Sequence, residues 1–158
     1  MNLKNKDLSC FKKDEVPNAA GCSFAIVVSN WNSVITDKLY QAAYDTLIKF
    51  GATDISKLEV PGSYELIFGA KIAYKSKPDA IICLGSIIQG ETRHFDFISN
   101  AVAQGVKDLN ISLEIPVIFG VLTDNNMEQA QSRSGGSNGN KGVEAAITAI
   151  KMVILNKH

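Results

Sequence analysis

The sequence predicts an α/β domain: a flavodoxin-like three-layer α/β/α sandwich around a four-stranded parallel sheet in the order 2-1-3-4. Three observations carry that expectation. Short apolar runs rich in β-branched residues alternate with segments of helical period from Phe24 onward. The strand-like runs are nearly continuous in apolar character, which marks strands covered on both faces. A helical segment separates each run from the next, so the strands run parallel with right-handed crossovers.

In chain order, residues 1–23 are polar and irregular, with Pro17 and Gly21, and read as an arm before a single domain spanning 24–158. "FAIVVSN" (24–30) is the first strand. "VITDKLYQAAYDTLIKF" (34–50) places apolar residues at 35, 39, 42, 43, 47 and 50, a helix that Ser33 can cap and Gly51 can end. "ISKLEV" (55–60) is the second strand, closed by Pro61-Gly62, and residues 64–76 form the second helix before Pro78. "DAIICLGS" (79–86) is the third and most apolar strand. "RHFDFISNAVAQGVKDLN" (93–110) carries 94, 98, 101, 102, 105, 106 and 109 on one stripe. "PVIFGVLT" (116–123) is the fourth strand, and Asn125 with Glu128 has capping-box spacing for a short helix over 126–133. "SGGSNGN" (134–140) reads as a flexible loop inside the domain, and "KGVEAAITAIKMVIL" (141–155) as the closing amphipathic helix.

Composition narrows the partners. The 158 residues include 16 basic and 16 acidic side chains, a formal net charge of zero, so no global field favours nucleic acid or an anionic membrane. Three cysteines without paired spacing, Cys10, Cys22 and Cys83, argue against a disulfide framework or a zinc site and fit reduced thiols in the cytoplasm. The N-terminus lacks the apolar core of a secretory signal. Lys151 interrupts the longest apolar stretch well short of a membrane span.

In an open sheet of this order the ligand crevice lies beyond the carboxyl ends of the first and third strands, where the order reverses. That brings "SNWN" (29–32) and "GSIIQGETRH" (85–94) together and places His94, one of two histidines, at the crevice. Thr92 can cap the third helix, whose first turn and preceding "GET" loop offer free amides suited to a phosphate. The positive helix end favours a neutral His94, able to take or give a proton; packing on the apolar stripe is the plainer alternative. Trp31, the single tryptophan, suits either stacking on a heteroaromatic ring or core packing. Arg133 fits the end of a helix and can equally clamp a phosphate. Glu65 in "PGSYE" looks like ordinary dipole complementation. The "SGGSNGNKG" stretch is not a Walker loop, because Gly142 follows Lys141.

Five ordered blocks together resemble the lumazine synthase family: "FAIVVSNWNSVIT", "VPGSYE", "GSIIQGETRHFDF", "IPVIFGVLT" and "EQAQSRSGGSNGNKGVEAA". The similarity runs from about Phe24 to Leu155. It implies condensation of 5-amino-6-(D-ribitylamino)uracil with 3,4-dihydroxy-2-butanone 4-phosphate to 6,7-dimethyl-8-ribityllumazine, the penultimate step of riboflavin biosynthesis, with loss of phosphate and two waters and without metal or organic cofactor. By position, it implies that Trp31 stacks on the pyrimidine and that Ser63, Tyr64, Glu65 and the Ser86, Ile87 and Ile88 backbone line the pyrimidine and ribityl pocket. Glu91 and Thr92 would offer amides to the phosphate, with Arg133 pairing to it. Phe119 would flank the ring from a neighbouring subunit with Lys141 nearby, and His94 would move protons. The resemblance further implies pentamers, in some members closed into an icosahedral 60-mer, and leaves riboflavin synthase as a candidate associate. The absence of an insertion in "RSGGSNGNKG" favours the closed shell, and the arm is long enough to add a strand to a neighbour's sheet edge.

Two residues depart from the family pattern. Glu91 stands where a small residue is common, with its side chain expected to face solvent, and Gln89 stands where arginine is frequent. Three competing readings are a flavin- or lumazine-binding protein without catalysis, a purely structural shell protein and a generic nucleotide-binding module. "SNWNS" lacks the hydroxyl- and glycine-rich character that the last would need.

Overall fold

The computed structural model describes residues 10–158. The strands are β1 (Ser23–Ser29), β2 (Asp54–Val60), β3 (Ala80–Ile88) and β4 (Val117–Asp124). All neighbouring pairs run parallel in the order β2-β1-β3-β4. Between and after them lie α1 (Ser33–Lys49), α2 (Leu66–Tyr74), α3 (His94–Ser112), α4 (Met127–Arg133) and α5 (Lys141–Asn156).

The near-continuous apolar strands explain the three layers. In β1, Phe24, Ile26 and Val28 pack with α1 and α5, while Ala25 and Val27 pack with α2 and α3. β3 splits the same way, Ile82 and Leu84 to one side and Ile81 and Cys83 to the other. Burial pushes the Cys83 thiol up to about 12, so at neutral pH it is an unreactive core group. No helix among the described residues is long and apolar enough to cross a membrane.

Helix ends follow local chemistry, with three departures from expectation. Gly51 does end α1: at φ 97° its amide reaches Ile48 O at 2.9 Å, and Ala52 N reaches Leu47 O at 3.0 Å, a Schellman closure. Ser33, expected as the cap, is instead the first helical residue. The cap position falls to Asn32 in the left-handed region, which asparagine tolerates, and its side chain makes no capping bond. The box at α4 is shifted by one residue. Asn126 Oδ1 accepts from Gln129 N at 2.9 Å, and Gln129 Oε1 accepts from Asn125 N at 3.0 Å, because Gln129 can reach back as well as a glutamate would.

The third departure is the glycine-rich stretch. Residues 134–140 hold β5 (Ser134–Gly136) and β6 (Gly139–Asn140), an antiparallel pair with Gly135 and Gly139 at positive φ. The hairpin delivers Asn140, whose side chain accepts from Gly142 N at 2.8 Å and caps α5. A side chain at Gly142 would run into the Leu39 carbonyl of α1, so the start of α5 sits directly on that helix.

Residues 1–9 of the expected arm lie outside the described residues. From Val16 on, the stretch is docked rather than free: Val16, Ala19 and Cys22 are buried in the core, and Ala19 N donates to Phe50 O at 2.7 Å.

Candidate functional site

The carboxyl ends of β1, β2 and β3 open into a cleft of about 700 Å³. Its first wall is the loop after β1, stitched to the loop after β2 by Asn30 N to Val60 O at 2.8 Å and Trp31 N to Pro61 O at 3.0 Å. These bonds turn the indole outward. Trp31 is 73% exposed and lines the cleft, which rules out the core-packing alternative for it. Asn32 ties this wall to the next, its Nδ2 donating to Ser86 O at 2.9 Å.

Ser63, Tyr64 and Glu65 form the second wall at the start of α2. Glu65 makes no capping bond; its Oε2 lies so close to Gly62 that a Cβ there would approach it to 2.9 Å. The carboxylate therefore folds back over the Pro61-Gly62 turn at the cleft wall instead of capping the helix.

Ser86, Ile87 and Ile88 at the end of β3, then Gly90, Thr92 and His94, make the third wall. Thr92 Oγ1 accepts from His94 N at 3.4 Å, but the cap position falls to Arg93, whose side chain makes no capping bond, so Thr92 stands one residue ahead of the cap expected of it. The amides of Gly90, Glu91 and Thr92 donate to no group among the described residues, so this helix start keeps donors for an anion. His94 is exposed at the cleft and its imidazole makes no hydrogen bond within the described residues, which excludes the packed-stripe reading. Glu91 is also exposed.

Three of the expected residues lie elsewhere on the chain. Phe119, 43% exposed, and Lys141 line a separate recess of about 370 Å³ between β4 and α5, where Lys141 pairs with Glu144. Arg133, the last residue of α4, borders neither cavity; it pairs with Asp124 at the end of β4 at 3.5 Å. One chain thus holds an aromatic platform, polar walls, an anion-ready helix start and a histidine in one cleft. Phe119 and the two cations, each paired with a carboxylate, lie elsewhere on the chain.

The sequence reading placed residues 29–32 at the crevice without singling out Asn32, and it did not assign Phe95, Ile98 or the Pro61-Gly62 turn to the cleft. An asparagine just before a helix start is a known signal for the left-handed region, and Ile98 lies one helical turn beyond His94. Asp124 was missed as well, although a charged residue closing an apolar strand is unusual enough to notice.

Comparison with known proteins agrees with this geometry. The family model for 6,7-dimethyl-8-ribityllumazine synthase matches residues 21–157. Proteins of that description from Flavobacterium johnsoniae and Christiangramia forsetii are 53% and 52% identical to the chain. Each alignment covers 99% of the chain, and 84% and 96% of the respective relative. A third, from Cytophaga hutchinsonii, is 51% identical over 97% of the chain and 98% of its own length. With its fold, its cleft and these relatives in agreement, the chain belongs to the 6,7-dimethyl-8-ribityllumazine synthase family.

Proposed function

We propose that the chain catalyses the family's condensation in sites completed between subunits, with the pyrimidine in the Trp31 cleft and the phosphate at the start of α3. The single observation that carries this is the division of the site residues. The cleft holds Trp31, Glu65 and His94 but not Phe119, Arg133 or Lys141, which lie outside it on the same chain. A neighbouring copy supplies the missing set.

In this arrangement Trp31 stacks on the pyrimidine, while Ser63, Tyr64, Glu65 and the Ser86–Ile88 stretch hold its polar edge and ribityl chain. The amides of Glu91 and Thr92 receive the phosphate of the butanone, and a neighbour's Arg133 pairs with it. The 5-amino group adds to the ketone and water leaves to give an imine. Loss of a proton next to the imine carbon expels the phosphate. Phosphate loss leaves an enol, which takes up a proton at its terminal carbon to become a ketone. The ribitylamino nitrogen then adds to this new carbonyl, and a second water leaves as the ring closes. Each step moves a proton, and His94 stands beside the anion site to carry it. Holding the two substrates together supplies much of the acceleration, since amine–ketone condensation is already facile in water.

Exposed Phe68 and Ile72 on α2 and Phe97 and Ile111 on α3 support an oligomer, because large apolar side chains left exposed along two helices are what subunit contacts cover. The assembly we propose is pentameric, with pentamers closing into a shell in the cytoplasm. A strand added by the N-terminal arm to a neighbour's sheet edge belongs to the same proposal, and riboflavin synthase is the partner that would consume the product.

The direct test mixes the purified protein with both substrates and follows lumazine absorbance and released phosphate. Stoichiometric appearance of both supports the reading. Tight binding of lumazine-like ligands without turnover would replace it with a carrier role.

A further inference from the structure

The end of β4 holds a carboxylate that the roles above leave unused. Asp124 is 5% exposed, and its backbone carbonyl accepts from Gln89 N at 2.9 Å, anchoring it to the loop that leads into the anion-ready start of α3. Its Oδ1 lies 3.5 Å from Arg133 Nη1, while its Oδ2 is buried without a hydrogen-bond partner. The same Nη1 donates to Gln129 O at 3.2 Å. Both contacts fall on one nitrogen and leave outside them the Nε–Nη2 edge, an edge that takes an oxyanion through two parallel bonds.

A buried carboxylate with an unpaired oxygen is destabilising. Burial pushes the Asp124 carboxyl above its ordinary range, with the Arg133 charge pulling part of that back. Packing does not call for a charge here, because the same face of β4 carries Ile118 and Leu122 in the core. A costly group placed against a cation is explained by what it does to that cation.

We propose that Asp124 is a positioning residue: it holds Arg133 by Nη1 so that the guanidinium presents its Nε–Nη2 edge to the phosphate of the second substrate. This rests on the reading of Arg133 as the phosphate clamp. The arginine side chain is 35% exposed and has little else to fix it. Without the carboxylate it must be ordered at every binding event, which weakens phosphate binding by roughly 2- to 10-fold. Asparagine keeps an acceptor at Oδ1 and removes a negative charge that opposes the phosphate, so it preserves the hold.

The test uses steady-state kinetics on assembled protein carrying Asp124→Ala, Asp124→Asn, Arg133→Ala, and Asp124→Ala with Arg133→Ala. Asp124→Ala should raise KM for the butanone phosphate roughly 2- to 10-fold and leave KM for the pyrimidine and kcat near wild type. Asp124→Asn should restore KM to the wild-type value or below. In the Arg133→Ala background, Asp124→Ala should add nothing. Asp124→Ser, smaller but polar, takes the place of the alanine variant if that chain does not assemble. An equal rise in both KM values, no rescue by asparagine, or an effect that persists without Arg133 would each overturn the proposal. If Arg133→Ala itself leaves KM for the butanone phosphate unchanged, the clamp reading fails and the positioning role with it, a result separable from the other three.

Discussion

Two carboxylates close the two ends of the same sheet, and they are treated oppositely. At the amino end, Asp79 accepts from Ser23 N at 2.7 Å and from Ser23 Oγ at 3.2 Å, with Lys157 Nζ at 3.2 Å. Burial raises its carboxyl, but the Ser23 amide, the Lys157 ammonium and the Ser23 hydroxyl outweigh that and hold it below its ordinary value. At the carboxyl end, Asp124 has a single cation at 3.5 Å and an oxygen without a partner, and its carboxyl is raised. The other buried unpartnered side-chain oxygens among the described residues, Ser29 Oγ and Ser86 Oγ, also sit at the carboxyl ends of their strands. The amino end is finished and acts as scaffold. The carboxyl end is left with unspent polar groups, which is where binding and chemistry are placed.

The predictions set these ends against each other. Arg133→Ala, at the carboxyl end, should raise KM for the butanone phosphate about 10- to 150-fold, as loss of a charge-assisted contact does, with KM for the pyrimidine far less affected. Equal effects on both would remove Arg133 from the phosphate. His94→Ala should lower kcat on the order of 10- to 100-fold, near the low end for lost acid–base help, because substrate juxtaposition survives. Complete loss of turnover with unchanged substrate binding would show that the histidine does more than that.

Asp79→Asn probes the other end, where stability and not rate should change. We expect a loss of about 1–2 kcal/mol in denaturant unfolding at neutral pH with kcat unaltered. The sign with pH follows from linkage. The folded carboxyl lies below its ordinary 3.8, so its contribution is present above that value and is lost as pH falls through the lower folded value. Lys157 mirrors it: hydrogen bonding to Asp79 raises its ammonium, so its contribution is present below 10.5 and lost as pH rises through the higher folded value. The variant should therefore show a flatter acid limb than the wild type, and an identical limb would mean that Asp79 is not part of the acid response. Trp31→Ala should have the smallest effect, weakening lumazine-like ligands by roughly 0.5–1.5 kcal/mol beyond lost area, as read by titration of the assembled protein.

The scaffold end and the strand order were legible in the sequence because apolar runs and helical period determine them, as 24–30 and 79–86 show. The crevice follows from that order, so the sequence alone puts Trp31 and His94 at it, where the cleft holds both. What escaped was decided by polar groups competing locally. "TDNNMEQ" offers Asp124, Asn125 and Asn126 as caps, and only packing selects Asn126 and sends Asp124 into the interior. "SGGSNGN" has no apolar alternation, so a hairpin held by glycines at positive φ looks like a flexible loop. Phe119, Arg133 and Lys141 carry no local signal of sharing the His94 cleft, because on one chain none of them lines it.

That division is the central claim, and subunit exchange tests it most directly. His94→Ala and Arg133→Ala particles, each weakly active, are dissociated, mixed and reassembled, and mixed particles are verified by mass-tagged subunits. If each site combines the His94 cleft of one chain with the Arg133 of its neighbour, some interfaces regain both intact residues and activity rises above that of either parent. Activity no higher than the average of the parents, in particles shown to be mixed, would mean that each chain holds its own complete site.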